Sequence, residues 1–178
     1  ADWNDALDMA WEKGESVAFT CAYAGNLRNI AKTLRQLEEI SGSSKIEIAH
    51  EMEDLLAGSV ELYEDAARKQ ALLAGYAKKC EHNISGDTIV VRLDQLAANL
   101  EGKADWMMKN IRANEWVKDG EDGWFNGYYD NHGRKVEGVM DESVRMMLTG
   151  QVFAIMSGTA TEDQVESICR SADKYLYD

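Results

Sequence analysis

Val17-Ala18-Phe19-Thr20-Cys21-Ala22-Tyr23-Ala24-Gly25-Asn26-Leu27-Arg28-Asn29-Ile30-Ala31-Lys32-Thr33-Leu34-Arg35-Gln36-Leu37 is the stretch that sets the fold class. Val17, Thr20, Cys21, Ala24, Leu27, Ala31, Leu34 and Leu37 recur at steps of three and four, which is one apolar face of a helix. Ile30 widens that stripe. Ser41-Gly42-Ser43 ends it. Downstream, Ser44-Lys45-Ile46-Glu47 has the pattern of a capping box. It predicts a second helix through Ile48, Met52, Leu55 and Leu56. A third is expected over Val60–Glu81, on Leu62, Ala66, Leu73 and Ala77. After a turn at 83–87, a long helix is expected from about Thr88 to Val117, through Leu93, Leu96, Leu100, Met107, Met108 and Ile111.

The texture changes at Asp119-Gly120-Glu121-Asp122-Gly123. Beyond it, aromatics flank an Asn131-His132-Gly133 turn, which reads as a β-hairpin. Helix is expected again from near Ser143 to about Ser157. Thr161-Glu162-Asp163-Gln164, a further capping box, opens a last amphipathic helix to about Tyr175. The expectation is five or six helices with one inserted hairpin, arranged as a bundle, a solenoid or part of an α/α barrel.

The chain has 178 residues, 45% of them hydrophobic and 29% charged, which is ordinary globular composition with room for a core. Its formal net charge is −13. Without a Lys/Arg cluster, that balance argues against nucleic-acid partners and anionic membrane surfaces. No apolar run nears the roughly 20 residues a membrane helix needs, and no signal-peptide pattern is visible. Cys21, Cys80 and Cys169 are odd in number and far apart, which argues against a disulfide framework or a structural zinc site and suits a reducing cytoplasm. Each reads first as a small apolar residue. His50, His82 and His132 stand apart from one another, so no metal is expected. Phosphate-binding glycine loops and a GxSxG elbow are absent from the sequence. The lack of proline and the start at Ala1 suggest a segment of a longer protein.

Four places could carry chemistry. Asp2-Trp3-Asn4-Asp5, with Asp8, combines carboxylates, an amide and an indole. Sugars need this mixture, an aromatic face for C–H groups and polar groups for hydroxyls. A carboxyl beside an indole can also be raised in pKa and act as a general acid. The plainer reading is an acidic turn that favours a helix dipole. Glu15, in Gly14-Glu15-Ser16-Val17, is a helix start or a ligand to a hydroxyl. Trp124, Phe125, Tyr128 and Tyr129 could line a sugar cleft or simply pair across strands. Gln151, within the apolar run Met146–Met156, needs buried partners, which backbone could supply.

Ala1-Asp2-Trp3-Asn4-Asp5-Ala6-Leu7-Asp8-Met9 with Lys13-Gly14-Glu15-Ser16-Val17 resembles the inverting β-glycoside phosphorylases, the group of cellobiose, laminaribiose, chitobiose and β-1,2-oligoglucan phosphorylases. Trp124-Phe125-Asn126-Gly127-Tyr128-Tyr129-Asp130-Asn131-His132-Gly133 is similar to that family's aromatic hairpin. Gly150-Gln151-Val152-Phe153-Ala154-Ile155-Met156-Ser157-Gly158 is similar to its Gln-x-x-Ala-(Ile/Val)-x-Ser-Gly helix. The three motifs stand in the family's order. The region from about Ser41 to Asp119 is longer than in cellobiose phosphorylases, and the text from Ser16 to Thr20 looks more like the laminaribiose and β-1,2-oligoglucan members.

The resemblance implies one segment of an (α/α)6-barrel catalytic domain, spanning 1–178. It implies Asp5 as general acid, and Trp3, Tyr129 and Gln151 at the sugar cleft. Glu142 falls where members carry a sugar-binding Glu, although Val139-Met140-Asp141-Glu142-Ser143 departs from the usual text. The implied reaction is reversible phosphorolysis of a β-linked gluco-oligosaccharide to α-glucose 1-phosphate. Inorganic phosphate is the co-substrate, no further cofactor is needed, and a homodimer is the common assembly. An inverting hydrolase needs a second carboxylate to activate water; phosphate is already an anionic nucleophile. The family's phosphate-binding residues fall outside this segment, so the isolated segment is expected to be inactive and to expose helix faces meant for neighbours. The competing expectations are an inverting hydrolase of the same barrel class and a non-catalytic sugar-binding module.

Overall fold

A computed structural model describes residue 10 and residues 12–56, 60–140 and 143–177, with the side chains of 60 and 61 excepted. The described chain is mainly helical, with short antiparallel strand pairs. It divides into two compact units, one from Ala1–Asn26 with Met107–Asp178, the other from Leu27–Trp106.

The first unit opens with β1 (Glu15–Ser16), which runs directly into α1 (Val17–Ser41). Residues 17–26 of α1 belong to this unit. Val17, Cys21 and Ala24 are buried, as the stripe predicts, and so is Ala18 beside them. The unit resumes in α5 (Leu93–Asn114) and continues as β4 (Trp116–Asp119), β5 (Asp122–Phe125), β6 (Tyr128–Tyr129), β7 (Gly138–Met140), β8 (Ser143–Arg145), α6 (Leu148–Met156) and α7 (Glu162–Tyr175). β4 and β5 form a tight hairpin in which Trp116 faces Phe125 and Asp119 faces Asp122. Gly120, at φ 65°, supplies the left-handed turn residue. The core gathers Val17, Cys21, Ile111, Trp124, Phe125, Met146, Ala154 and Ile168. Trp116 meets Phe125 edge-on at 4.8 Å and Trp124 meets Tyr175 at 5.5 Å, arrangements that aromatic quadrupoles favour. α7 starts at the expected capping box: Thr161 accepts from the Gln164 N–H, and the Gln164 side chain accepts from the Thr161 N–H. On α6, Leu148, Val152, Ile155 and Met156 remain exposed.

The second unit holds residues 27–41 of α1, then β2 (Lys45–Ala49), a 3-10 turn (His50–Met52), α2 (Glu53–Leu56), α3 (Val60–Glu64), α4 (Ala66–Lys79), β3 (Thr88–Arg92) and residues 93–106 of α5. β2 and β3 pair antiparallel from Lys45↔Arg92 to Ala49↔Thr88. Its core is small: Ala31, Leu34, Leu93 and Ala97, with Ile46, Leu96 and Leu100 against them.

Several expectations need correction. Lys45–Ala49 is a strand, not the first turn of a helix. Lys-Ile-Glu-Ile alternates with period two, and the β-branched Thr-Ile-Val-Val of 88–91 stands opposite it. For the same reason the long helix begins at Leu93, not Thr88, and it ends at Asn114, before β4. The Val60–Glu81 helix is interrupted at Asp65, whose carboxylate caps α4 by accepting from the Arg68 N–H. Ser143–Arg145 pairs with β7, so the following helix starts only at Leu148. Trp124-Phe125 pairs with Trp116-Val117 rather than across the Asn-His-Gly turn. That turn joins Tyr128–Tyr129 to Lys135 and Val136. Ile30 and Leu37 are exposed rather than part of the buried stripe. Cys21 is a buried apolar residue as expected, whereas Cys169 is exposed. Burial pushes the Cys21 thiol up to about 11. Among the described residues no cysteines pair, no helix is long and apolar enough to cross a membrane, and no cluster of metal-ligating side chains occurs.

Candidate functional site

The described part of the first motif segment, 12–17, meets the second segment within the first unit, and the second meets the third at Gly127 and Gly150. Glu15 pairs with Tyr129 and Ser16 with Tyr128 in a short antiparallel ladder. The turn after β6 reaches the same segment, because Asn131 Oδ1 accepts from the backbone N–H groups of Glu12 and Lys13 at 3.0 and 2.7 Å. Gly14 permits this path: a Cβ there would lie 2.3 Å from the Cβ of Ala10. Gly127 and Gly150 face each other at the start of α6, and a Cβ on Gly150 would come 2.9 Å from the Gly127 Cα. The Gly127 carbonyl accepts from the N–H groups of Val17 and Ala18, which caps α1.

Two buried carboxylates hold the Phe125-Asn126-Gly127 connection. Glu115 accepts from Asn126 Nδ2 at 3.1 Å and from the Tyr129 hydroxyl at 2.8 and 2.9 Å. Glu137, 1% exposed, accepts from the Gly127 N–H at Oε1 and the Met147 N–H at Oε2, each at 2.8 Å. Desolvation by burial pushes its carboxyl up to about 7, against the opposing pull of the two N–H donors. Asn126 Oδ1 accepts from the Glu137 N–H at 3.2 Å, completing the link. Burial, then the Glu115 hydrogen bond, raises the Tyr129 phenol above its ordinary range.

The accessible part of this assembly is a hollow of about 240 Å³ lined by Lys13, Glu15, Tyr129, Asp130 and Gly133. Asp130 shapes its rim. Its carboxylate accepts from the N–H groups of His132 and Arg134 and from Arg134 Nε, all at 2.8 Å, and these bonds hold it below the usual carboxylate range. Gly133, at φ 72°, supplies the left-handed residue of the turn. The hollow therefore offers an aromatic ring, an ammonium and a carboxylate, Glu15, to a polar ligand.

Of the residues singled out from sequence, Tyr129 is half-buried on this hollow and Glu15 lies beside it. Gln151 is in the same unit but sealed, at 0% exposure. Its Oε1 accepts from the Phe125 N–H at 2.8 Å, and its Nε2 donates to the Phe125 carbonyl at 2.7 Å and the Met147 carbonyl at 3.2 Å. Trp124, Phe125 and Tyr128 are core residues, so Tyr129 alone of the four aromatics reaches the hollow. Asp2, Trp3, Asn4, Asp5, Asp8 and Glu142 lie outside the described residues. Sequence reasoning missed Glu115, Asn126 and Glu137. The Asn126-Gly127 dipeptide between aromatics was the available signal, since Asn-Gly marks a tight turn.

The described residues form a mainly helical protein in which parts of two motif segments, Lys13 and Glu15 with Tyr129, Asp130 and Gly133, line a polar hollow. No known family model matches the chain, and no curated protein matches it.

Proposed function

We propose that this chain carries the general-acid part of an inverting β-glycoside phosphorylase, within an (α/α)6-barrel catalytic domain, acting on β-linked gluco-oligosaccharides of the laminaribiose or β-1,2-oligoglucan type. Asp5, protonated, gives its proton to the glycosidic oxygen. Inorganic phosphate attacks the anomeric carbon from the opposite face, the C–O bond breaks, and the products are α-glucose 1-phosphate and a shortened sugar. Trp3, Glu142, Tyr129 and the segment of Gln151 contribute to the sugar cleft, Gln151 by holding the Phe125 backbone. Phosphate is a substrate here, and the reading invokes no metal.

One observation carries the reading: described parts of the three segments that resemble the family adjoin one another, the first more than a hundred residues before the other two. Glu15-Ser16 pairs with Tyr129-Tyr128, and Gly127 abuts Gly150. The exposed apolar stripe on α6, Leu148, Val152, Ile155 and Met156, also suits a helix with a neighbour in a larger barrel.

The test is phosphorolysis by the full-length polypeptide that carries this sequence. β-1,2-, β-1,3- and β-1,4-linked glucose oligomers are offered with phosphate, and glucose 1-phosphate is followed. Release from one linkage, abolished in Asp5→Asn, is the expected result. Sugar release that ignores phosphate would make the protein a hydrolase. Silence on every linkage, with sugar still bound, would make it a binding module.

A further inference from the structure

Glu115 lies between the last residue of α5 and the first of β4, at a place the sequence does not mark. Its side chain is buried, yet it carries an acidic group, and holding a hairpin in place does not require one: a neutral amide would bond Asn126 as well. Both oxygens of the carboxylate also accept from one phenol. The Tyr129 hydroxyl sits 2.8 Å from Oε1 and 2.9 Å from Oε2. Asn126 Nδ2 fixes the carboxylate from a second direction at 3.1 Å, and the Lys135 ammonium, 3.7 Å from Oε2, supplies opposite charge. A hydrogen bond to an ionised acceptor is stronger than one between neutral groups. The far end of the Tyr129 side chain is thus pinned, while its backbone is pinned by the ladder to Glu15. Between those two anchors the ring forms a wall of the hollow, with Lys13 and Glu15 beside it.

We infer that Glu115 is a positioning residue: it holds the Tyr129 ring in the one orientation that presents an aromatic wall to a sugar ring entering this hollow. This rests on reading the protein as a saccharide-processing enzyme. A pyranose lays its C–H face on an aromatic ring and turns its hydroxyls outward, here toward the Glu15 carboxylate and the Lys13 ammonium. A phenol free to rotate would offer the same surface only part of the time, and affinity would fall by that fraction. Glu115 does not touch the sugar in this account, so its loss weakens binding and leaves the chemical step nearly unchanged.

The test compares Glu115→Gln, Tyr129→Phe and the double variant in the full-length polypeptide. Phosphorolysis kinetics and calorimetric binding of laminaribiose are both measured. Each single substitution is expected to raise KM and the dissociation constant roughly five- to ten-fold while kcat changes less than about two-fold. The double variant is expected to be no worse than the more impaired single, since one change weakens and the other removes the same Tyr129–Glu115 bond. Unchanged KM in Glu115→Gln, or multiplying losses in the double variant, would overturn the positioning role while leaving the proposed activity intact. Should Glu115→Gln fail to fold, Tyr129→Phe, which removes one oxygen only, still decides: an unchanged KM there overturns it. An unmodified protein that neither binds nor cleaves any gluco-oligosaccharide would overturn the functional reading, and this inference with it.

Discussion

In the unit of Ala1–Asn26 and Met107–Asp178, polar side chains go inside, whereas in that of Leu27–Trp106 they stay mostly at the surface. The first buries Gln151, Glu115, Glu137, Asn126 and Ser171 in bonds to backbone and to one another. The second relies on ion pairs in water: Arg28 with Asp105, Lys79 with Asp54, Arg92 with Asp94, and Arg35 with Glu101. Burial raises the value of each bond, because a lost partner leaves a polar group without water. Exposure lowers it, because water and salt compete. The first unit therefore holds one backbone geometry tightly around the hollow, and the second holds its helices by a modest apolar core and local capping.

Three measurements would break or sharpen that contrast. The largest effect is expected from Gln151→Ala. It strands the buried N–H and carbonyl of Phe125 and leaves a cavity, for a loss of about 4 kcal/mol in chemical denaturation. A loss below about 1 kcal/mol would mean that water serves those groups equally well, and the contrast between the units would collapse.

The next concerns Glu137. Its carboxyl titrates near 4.5 when unfolded and near 7 in the folded protein. Between those values the folded state holds the extra proton, so stability falls as pH rises through this window. The contribution of this one group is about 3 kcal/mol, absent below the window and fully felt above it. Denaturation midpoints taken from about pH 4 to about pH 8 should show a steeper decline for the natural protein than for Glu137→Gln. Equal slopes would show that the Gly127 and Met147 N–H donors outweigh desolvation and keep the carboxylate ionised.

The smallest effect belongs to the second unit. Arg35 forks onto Glu101, one bond being 3.0 Å from Nε, but both side chains are well exposed. Arg35→Ala should leave the denaturation midpoint nearly unchanged, and more nearly so in high salt. A larger, salt-independent loss would place that pair among the bonds that matter as much as those inside the first unit.

The legible features share a short range. The stripe from Val17 onward, the Ser41-Gly42 stop and the Thr161 capping box are interactions within a few residues, and α1 and α7 follow them closely. Gly42 takes the left-handed turn its position calls for, at φ 66°. The misread elements need a distant partner. Lys45–Ala49 fits a capped helix until Thr88–Arg92 stands beside it. Trp124-Phe125 shares a hairpin with Trp116-Val117, although the more conspicuous turn follows Tyr129. The candidate site divides in the same way. Tyr129 stood out by its aromatic setting. Glu115 and Glu137 did not, because a carboxylate at the end of a helix or beside a glycine reads as a solvated group until its donors are seen.

By itself the sequence determined the mainly helical class and the bounds of α1 and α7. Side-chain periodicity and capping are encoded in neighbouring residues, so no fold is needed to read them. Only the tertiary structure decided which strands pair, which aromatics are core, and which polar groups go inside. Those outcomes depend on desolvation and on partners brought from far along the chain: Gln151 is sealed because Phe125 arrives to meet it, and Tyr129 keeps its ring on the hollow because Glu115 waits beneath its hydroxyl.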